Sequence, residues 1–314
     1  MNGLVPYIEA ASRSGSEIDA LLLALTLLSG LVVGGISLLI VVFAVRYRRG
    51  SRAPRGNAPA RDRRLEFVWI TLPLLVFLAI FYWAARLYAD LRTAPPDALE
   101  LSVIAKQWMW KVQHPDGQRE IDTLHIPVDR PVKLVMTSQD VIHSFYVPAF
   151  RVKQDVLPGR YTMLWFEATR TGEYPLLCAE FCGTGHSRMR GSVVVMTDAA
   201  YSRWLAANPG PGSLANQGEA LFRSHGCSGC HGENATVHAP KLAGLYGTRI
   251  PLADGSSVTV DDRYIRDSIL LPASEVAAGY APLMPSFQGQ LDESDIMLLV
   301  AYIRSLGEPG EPSP

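Results

Sequence analysis

The 314-residue chain is longer than one ordinary domain, so several separately packed parts are expected. Its 29 Lys and Arg nearly cancel 30 Asp and Glu, leaving a net charge of −1 that excludes the broad basic footprint of a nucleic-acid binder. Apolar content is 48 %, mildly high, and the excess is concentrated near the N-terminus; no phosphate loop or nucleophile–base arrangement stands out.

Residues 1–17 are predicted to form an outer segment, with neither the basic start nor the separate apolar core of a cleavable signal. Ile18 to Val45 is almost free of charge after Asp19, and Phe67 to Ala85 is again apolar. Each run approaches the ~20 residues a helix needs to cross a bilayer. The bland alternative is a buried pair of soluble helices. Between them, RYRRGSRAPRGNAPARDRR carries eight arginines and one acid, which keeps that loop in the cytoplasm and sends everything after about Leu87 outward. Tyr82, Trp83 and Tyr88 suit an interfacial belt at the outer end. The whole hairpin is expected over 18–92. Glu66, at its inner edge, reads on physics alone as a solvated end residue.

From Leu99 to Thr197 the text becomes β-rich: ELSVIAKQWMWKV, PVKLVMTS, RYTMLWFEA and GSVVVMT alternate apolar and polar residues between Pro, Gly and Asp turns. A Greek-key sandwich or barrel over 93–206 is expected, with its functional residues on loops at one end. Within it, CAEFCGTGHSRM sets Cys178, Glu180, Cys182, His186 and Met189 close together, and His143 lies upstream in DVIHSF. Two thiolates, two imidazoles and a thioether are a copper set, and two thiolates four residues apart can bridge a pair of copper ions. A Cys178–Cys182 disulfide is the other reading. Asp140 reads equally as a turn residue or as a group orienting local hydrogen bonds. Trp108 and Trp110 read first as packing on a half-buried strand.

ANPGPGSLAN (207–216) is a Pro/Gly/Ser-rich linker to a helical domain over 217–308. CSGCH (227–231) has the spacing for covalent haem c, with Cys227 and Cys230 forming thioethers and His231 on the iron. A structural zinc site would need two more ligands, for which only His225 and His238 are near. The sixth iron ligand must come later. Met284, between prolines in APLMPSF, suits an extended loop, whereas Met297 occupies an apolar position of a helix and reads as core. All four cysteines are then used by two metal sites, with no disulfide left to propose. The tail 309–314 reads as disordered.

LEFVWITLP (65–73), KQWMW (106–110), DVIHSFYVP (140–148), KQDVLPGR (153–160) and CAEFCGTGHSRM (178–189) stand in this order over roughly residues 15 to 205. Together they resemble subunit II of the haem-copper cytochrome c oxidases, and the following domain resembles a class I cytochrome c. The resemblance implies a two-helix membrane hairpin, an all-β cupredoxin domain and an all-α cytochrome c domain. It implies a mixed-valence two-copper centre, CuA, bridged by Cys178 and Cys182, with His143 and Met189 completing one copper, and His186 and the Glu180 carbonyl the other. It also implies that the Glu180 side chain faces a magnesium site shared with subunit I, that Glu66 stands at a proton-path entrance, and that Trp108 lies on the electron-input surface. Met109 departs from the tyrosine many relatives carry there, which weakens any claim that the aromatic cluster works as a unit.

The implied protein is the electron-input subunit of a respiratory oxidase in the bacterial inner membrane, its soluble domains on the periplasmic face. Electrons would pass from an external donor, such as a cytochrome c or an upstream respiratory complex, through haem c and CuA to subunit I. There oxygen is reduced with proton translocation, and subunit III is a further expected partner. Three rivals are a similar subunit of a CuA-type nitric oxide reductase, a quinol oxidase subunit II, which would lack the copper ligands, and a copper chaperone, which typically has one membrane helix and a His far after its cysteines.

Overall fold

The computed structural model describes residues 9–54, 63–232, 235 and 237–307. They divide into two compact units, Ser14–Thr93 and the remainder.

The first unit is two helices, α1 (Arg13–Arg46, its first residue apart) and α2 (Arg63–Arg92). Both exceed the expected apolar runs at each end, because the flanking basic residues continue the helix into what would be headgroup depth. At ~1.5 Å per residue either is longer than the ~30 Å hydrocarbon layer. Leu22, Leu31, Ile40, Phe67, Trp69 and Phe81 are all exposed, a surface that water does not tolerate over such a length. Pro73 sits inside α2 and removes one backbone hydrogen bond there. Residues 55–62 of the basic loop and the tail expected at 309–314 lie outside the described residues.

In the second unit the expected β-domain is two five-stranded sheets. Its strands are β1 (Leu99–Lys106), β2 (Met109–Gln113), β3 (Arg119–Ile121), β4 (Thr123–Pro127), β5 (Pro131–Ser138), β6 (His143–Val147), β7 (Val152–Val156), β8 (Thr162–Glu167), β9 (Gly172–Cys178) and β10 (Arg190–Met196). The sheet orders are β3-β2-β1-β5-β8 and β4-β10-β9-β6-β7. Alternating residues such as Leu101, Val103, Leu134, Met136, Phe145, Leu176 and Val193 fill the space between them. ELSVIAKQWMWKV is two strands, not one: the chain reverses at Gln107–Trp108, with Lys106 opposite Met109. The N-terminal segment joins this domain. Ala11 is fully buried, its N–H donates to the Ala149 carbonyl (2.7 Å), and its carbonyl accepts from the Thr169 N–H (2.9 Å).

A helix not anticipated from sequence, α3 (Asp198–Ala207), closes one end of the sandwich over a buried polar cluster. His114 contacts Tyr201 Oη (3.0 Å) and Glu120 Oε1 (2.8 Å), while His125 contacts Glu120 Oε2 and stacks on Trp204. Burial alone would raise the Glu120 carboxyl, but hydrogen bonds from His114 and His125 outweigh it and hold it below its ordinary value. A lowered folded-state value stabilises the fold above the unfolded value of about 4.3, and the contribution disappears as pH falls through the folded value. Thermal melting of wild type is therefore expected to fall steeply with acidification below about pH 4.3, whereas Glu120→Gln, about 1–3 kcal/mol less stable near neutrality, should show a flatter acid limb. Equal acid limbs in both would contradict this.

The helical domain comprises α4 (Leu214–Ser224), α5 (Ser228–His231), a small hairpin of β11 (Arg249–Pro251) and β12 (Ser257–Thr259), α6 (Asp262–Leu270) and α7 (Glu293–Ser305). α4 and α7 cross at Gly218, where a Cβ would lie 2.0 Å from the Leu298 carbonyl oxygen, so only glycine permits the approach. The linker is shorter than the composition of 207–216 predicts, because Ser213 caps α4 and helix starts at Leu214.

Candidate metal centre

Trp110, fully buried, sets its ring edge-on to those of His143 and Phe145. The expected copper residues converge where three segments meet, and two of them are strand ends, not loop residues. His143 opens β6 and Cys178 closes β9, so adjacent strands hold both rigidly; the 178–189 segment then curls back over them. Cys178 Sγ and Cys182 Sγ lie 3.8 Å apart as free thiols, which removes the disulfide reading. Around them stand His143 Nδ1 (4.0 Å from Cys178 Sγ), the Glu180 carbonyl oxygen (3.3 Å from Cys178 Sγ), His186 Nδ1 (3.5 Å from Cys182 Sγ) and Met189 Sδ (3.8 Å from Cys182 Sγ). Ligands at ~2.3 Å from a tetrahedral ion sit roughly 3.7 Å from one another, so these separations are those of a shared coordination sphere. The donor set and spacing fit a pair of soft metal ions.

The electrostatics agree. Burial opposes ionisation of Cys178, but the His143 ring and nearby backbone groups bring its thiol down to about 6. Burial and the neighbouring Cys178 push Cys182 up to about 12. One thiolate forms readily and its charge keeps the other thiol protonated; a bound cation is what would remove both protons. Asp140 accepts from His143 Nε2 (2.8 Å) and from the Gln107 N–H (2.7 Å), leaving His143 Nδ1 toward the sulfur. Of its two sequence readings, the orienting one describes its position.

Trp108 covers the site. Its Nε1 donates to the Cys182 carbonyl (3.3 Å) beside the Gln107 side chain, which donates to the same oxygen (2.8 Å). A Cβ on Gly185 would lie 2.3 Å from the Trp108 ring. Gly185→Ala is therefore expected to displace the indole and weaken copper binding about 10–100-fold, the usual cost of losing an outer-sphere partner. A competition titration with tryptophan fluorescence checks it; unchanged affinity would show the contact to be incidental. The Glu180 carbonyl lies at the sulfur pair. Glu66 lies in α2, in the other unit. Gln107 and Gly185 carried no signal on their own in the sequence, since glutamine and glycine have no metal chemistry.

In the helical domain, Cys227, Cys230, His231 and Met284 all line one cavity of about 630 Å³, walled by apolar side chains including Phe222, Leu245, Ile265, Ile269, Leu299 and Ile303. Cys230 and His231 N–H groups both donate to the Cys227 carbonyl, so the CSGCH run is a single turn that brings Cys227, Cys230 and His231 together. His231 Nδ1 donates to the Pro240 carbonyl (2.9 Å), which leaves Nε2 as the free ligand atom. Met297 is elsewhere, packed with Ile104 and Val135. Among the described residues, the one group of three or more His, Cys, Asp or Glu side chains converging within 4.8 Å is His143, Cys178 and Cys182. An apolar slot lined by paired thiols, an imidazole and a thioether fits a covalent haem.

Residues 117–197 match the family described as cytochrome c oxidase subunit II, periplasmic domain, and 215–307 match the cytochrome c family. The alternative cytochrome c oxidase subunit 2 of Bradyrhizobium diazoefficiens is 30 % identical over 196 residues, covering 52 % of this chain and 69 % of that protein. The chain belongs to the cytochrome c oxidase subunit II family. A second family member, cytochrome c oxidase subunit 2 of Alkalihalophilus pseudofirmus, is 29 % identical over 290 residues, 85 % of this chain and 82 % of that one. The crystal structure of the periplasmic domain of subunit II of Bradyrhizobium japonicum cytochrome oxidase is 29 % identical over 37 % of this chain and 96 % of that one, at a TM-score of 0.36. The subunit II fold, two apolar helices and a cupredoxin-type sandwich, is here followed by a cytochrome c domain.

Proposed function

We propose that this subunit is the electron input of a haem-copper oxidase, with haem c and CuA carried on one chain. The observation that carries the reading is the pair of free thiols 3.8 Å apart ringed by two imidazoles, a thioether and a carbonyl, in the same compact unit as the CSGCH cavity. Cys178, Cys182, His143, His186, Met189 and the Glu180 carbonyl would hold two copper ions, and Cys227, Cys230, His231 and Met284 one haem. Loaded so, the two sites exchange single electrons without bond making.

The chain's own residues do the rest. Asp140 fixes the His143 ring, Trp108 and Gln107 hold the Cys182 carbonyl, and the paired ends of β6 and β9 fix where His143 and Cys178 stand. The two long apolar helices anchor the domains beside a subunit I that reduces oxygen, with the soluble unit on the outer face of a bacterial inner membrane. Subunit III as a further partner, a magnesium ion at the Glu180 carboxylate and a proton entrance at Glu66 complete the reading. The test is purification from the native membrane through a tag on this chain. Co-purification with a haem-copper subunit whose oxygen uptake depends on an added reduced cytochrome supports the reading. Recovery of the chain alone, or turnover of nitric oxide but not oxygen, would overturn it.

A further inference from the structure

Residues facing out of a sandwich are ordinarily polar, yet β1 and β5 present Ile104 and Val135 on the face away from the core. Both are buried, because Met297 of α7 lies over them. The opposite side of α7, at Leu299 and Ile303, lines the haem cavity. One helix therefore has the cavity on one side and the copper domain's sheet on the other.

Two arginines close this contact. Arg304 reaches from α7 to Glu100 of β1 (2.6 Å), which also accepts from Lys133 of β5 (3.0 Å), and is held within its own domain by Asp262 (2.8 and 2.9 Å). Arg266 of α6 is only 7 % exposed; it pairs with Glu293 and Asp267 and donates to the Gly159 carbonyl of the copper domain (3.1 Å). The strip beside Gly159 backs the metal site. Leu157 accepts from the Ser138 N–H and Pro158 bridges Ser138, whose hydroxyl contacts Asp140, the partner of His143. The neighbours of Arg266 on α6, Ile265 and Ile269, line the cavity. The linker is also seated: the Leu214 N–H donates to the Pro115 carbonyl (3.1 Å), and a Cβ on Gly210 would meet the Asp116 carbonyl oxygen at 2.3 Å.

We propose that Arg266 and Arg304 are positioning residues that clasp the cytochrome domain to the outer face of the β1–β5 sheet in one pose, fixing the distance between the two redox sites. The inference rests on the proposed identity of those sites only for its electron-transfer consequence. A tether alone would let the domain find its partner by repeated diffusion. Contacts from two arginines of different helices, one of them buried, together with the Met297 packing, hold it in place.

The test uses the full-length, metallated chain in detergent, comparing wild type with Arg266→Gln/Arg304→Gln and, separately, Met297→Lys, which leaves the cavity wall intact. Protease cutting within 208–213 should be at least about tenfold faster in both variants, because cutting follows the population of the undocked form. Haem absorption and potential should stay unchanged, and flash-initiated electron transfer between the sites, insensitive to solvent viscosity in wild type, should become slower and viscosity-dependent. Equal cutting in all three proteins overturns the clasp. Faster cutting with electron transfer unchanged overturns its positioning role. A wild type that binds neither copper nor haem, yet shows the same cutting pattern, would keep the clasp and sink the proposed function.

Discussion

Cys182→Ser is expected to abolish two-copper binding while leaving the covalent haem in place. Cys182 Sγ is in reach of three other ligand atoms: Cys178 Sγ and Met189 Sδ at 3.8 Å and His186 Nδ1 at 3.5 Å, with the residue 2 % exposed. A serine hydroxyl is a hard donor that stays protonated there, so it can neither bridge two soft ions nor balance their charge. Copper affinity should fall well beyond the ~10–100-fold cost of an outer-sphere loss, and electron delivery to the oxidase with it. Metal analysis and steady-state oxygen uptake check this. Two coppers per chain in the variant would show that the thiol pair is not the bridge.

The second large effect is expected from Cys227→Ala/Cys230→Ala. Without its thioethers the domain has to fold around an apolar cavity of about 630 Å³. Buried voids cost ~24 cal/mol per Å³, which would give on the order of 15 kcal/mol for a sealed cavity of that size. Water entering through the open side lowers that figure, but even a third of it, about 5 kcal/mol, equals the low end of the ~5–15 kcal/mol that holds a typical domain together. The variant should retain the β-domain and its copper while the region 214–307 loses slow hydrogen exchange. Native-like protection there in the haem-free protein would contradict the packing argument.

The parts of this chain that could be read from sequence are those whose chemistry repeats at short range. CAEFCGTGHSRM and CSGCH each place most of their ligands within one or two turns of chain, and both sets converge in the structure. The two apolar runs likewise announced helices, though not their basic extensions to Arg13 and Arg92. What stayed illegible depends on contacts between distant segments. Gln107 and Gly185 matter only because the hairpin turn brings Trp108 over Cys182. His114, Glu120 and His125 are near neighbours in sequence, but their cover, Tyr201 and Trp204 of α3, comes from a distant segment. Met297 looked like helix core and is instead an interdomain contact, a distinction that apolar periodicity within one helix does not carry. Ile104 and Val135, at outward strand positions, were the signal that could have revealed it.

Whether one chain holds both a two-copper centre and one covalent haem is decided by the electron paramagnetic resonance spectrum of the copper-loaded, oxidised full-length protein, with copper and haem measured on the same sample. Hyperfine structure from one unpaired electron shared equally over two coppers is expected, together with one haem that acid and organic solvent do not extract. A single-copper spectrum, or Cys178 and Cys182 recovered as a disulfide from the copper-loaded protein, would contradict that expectation.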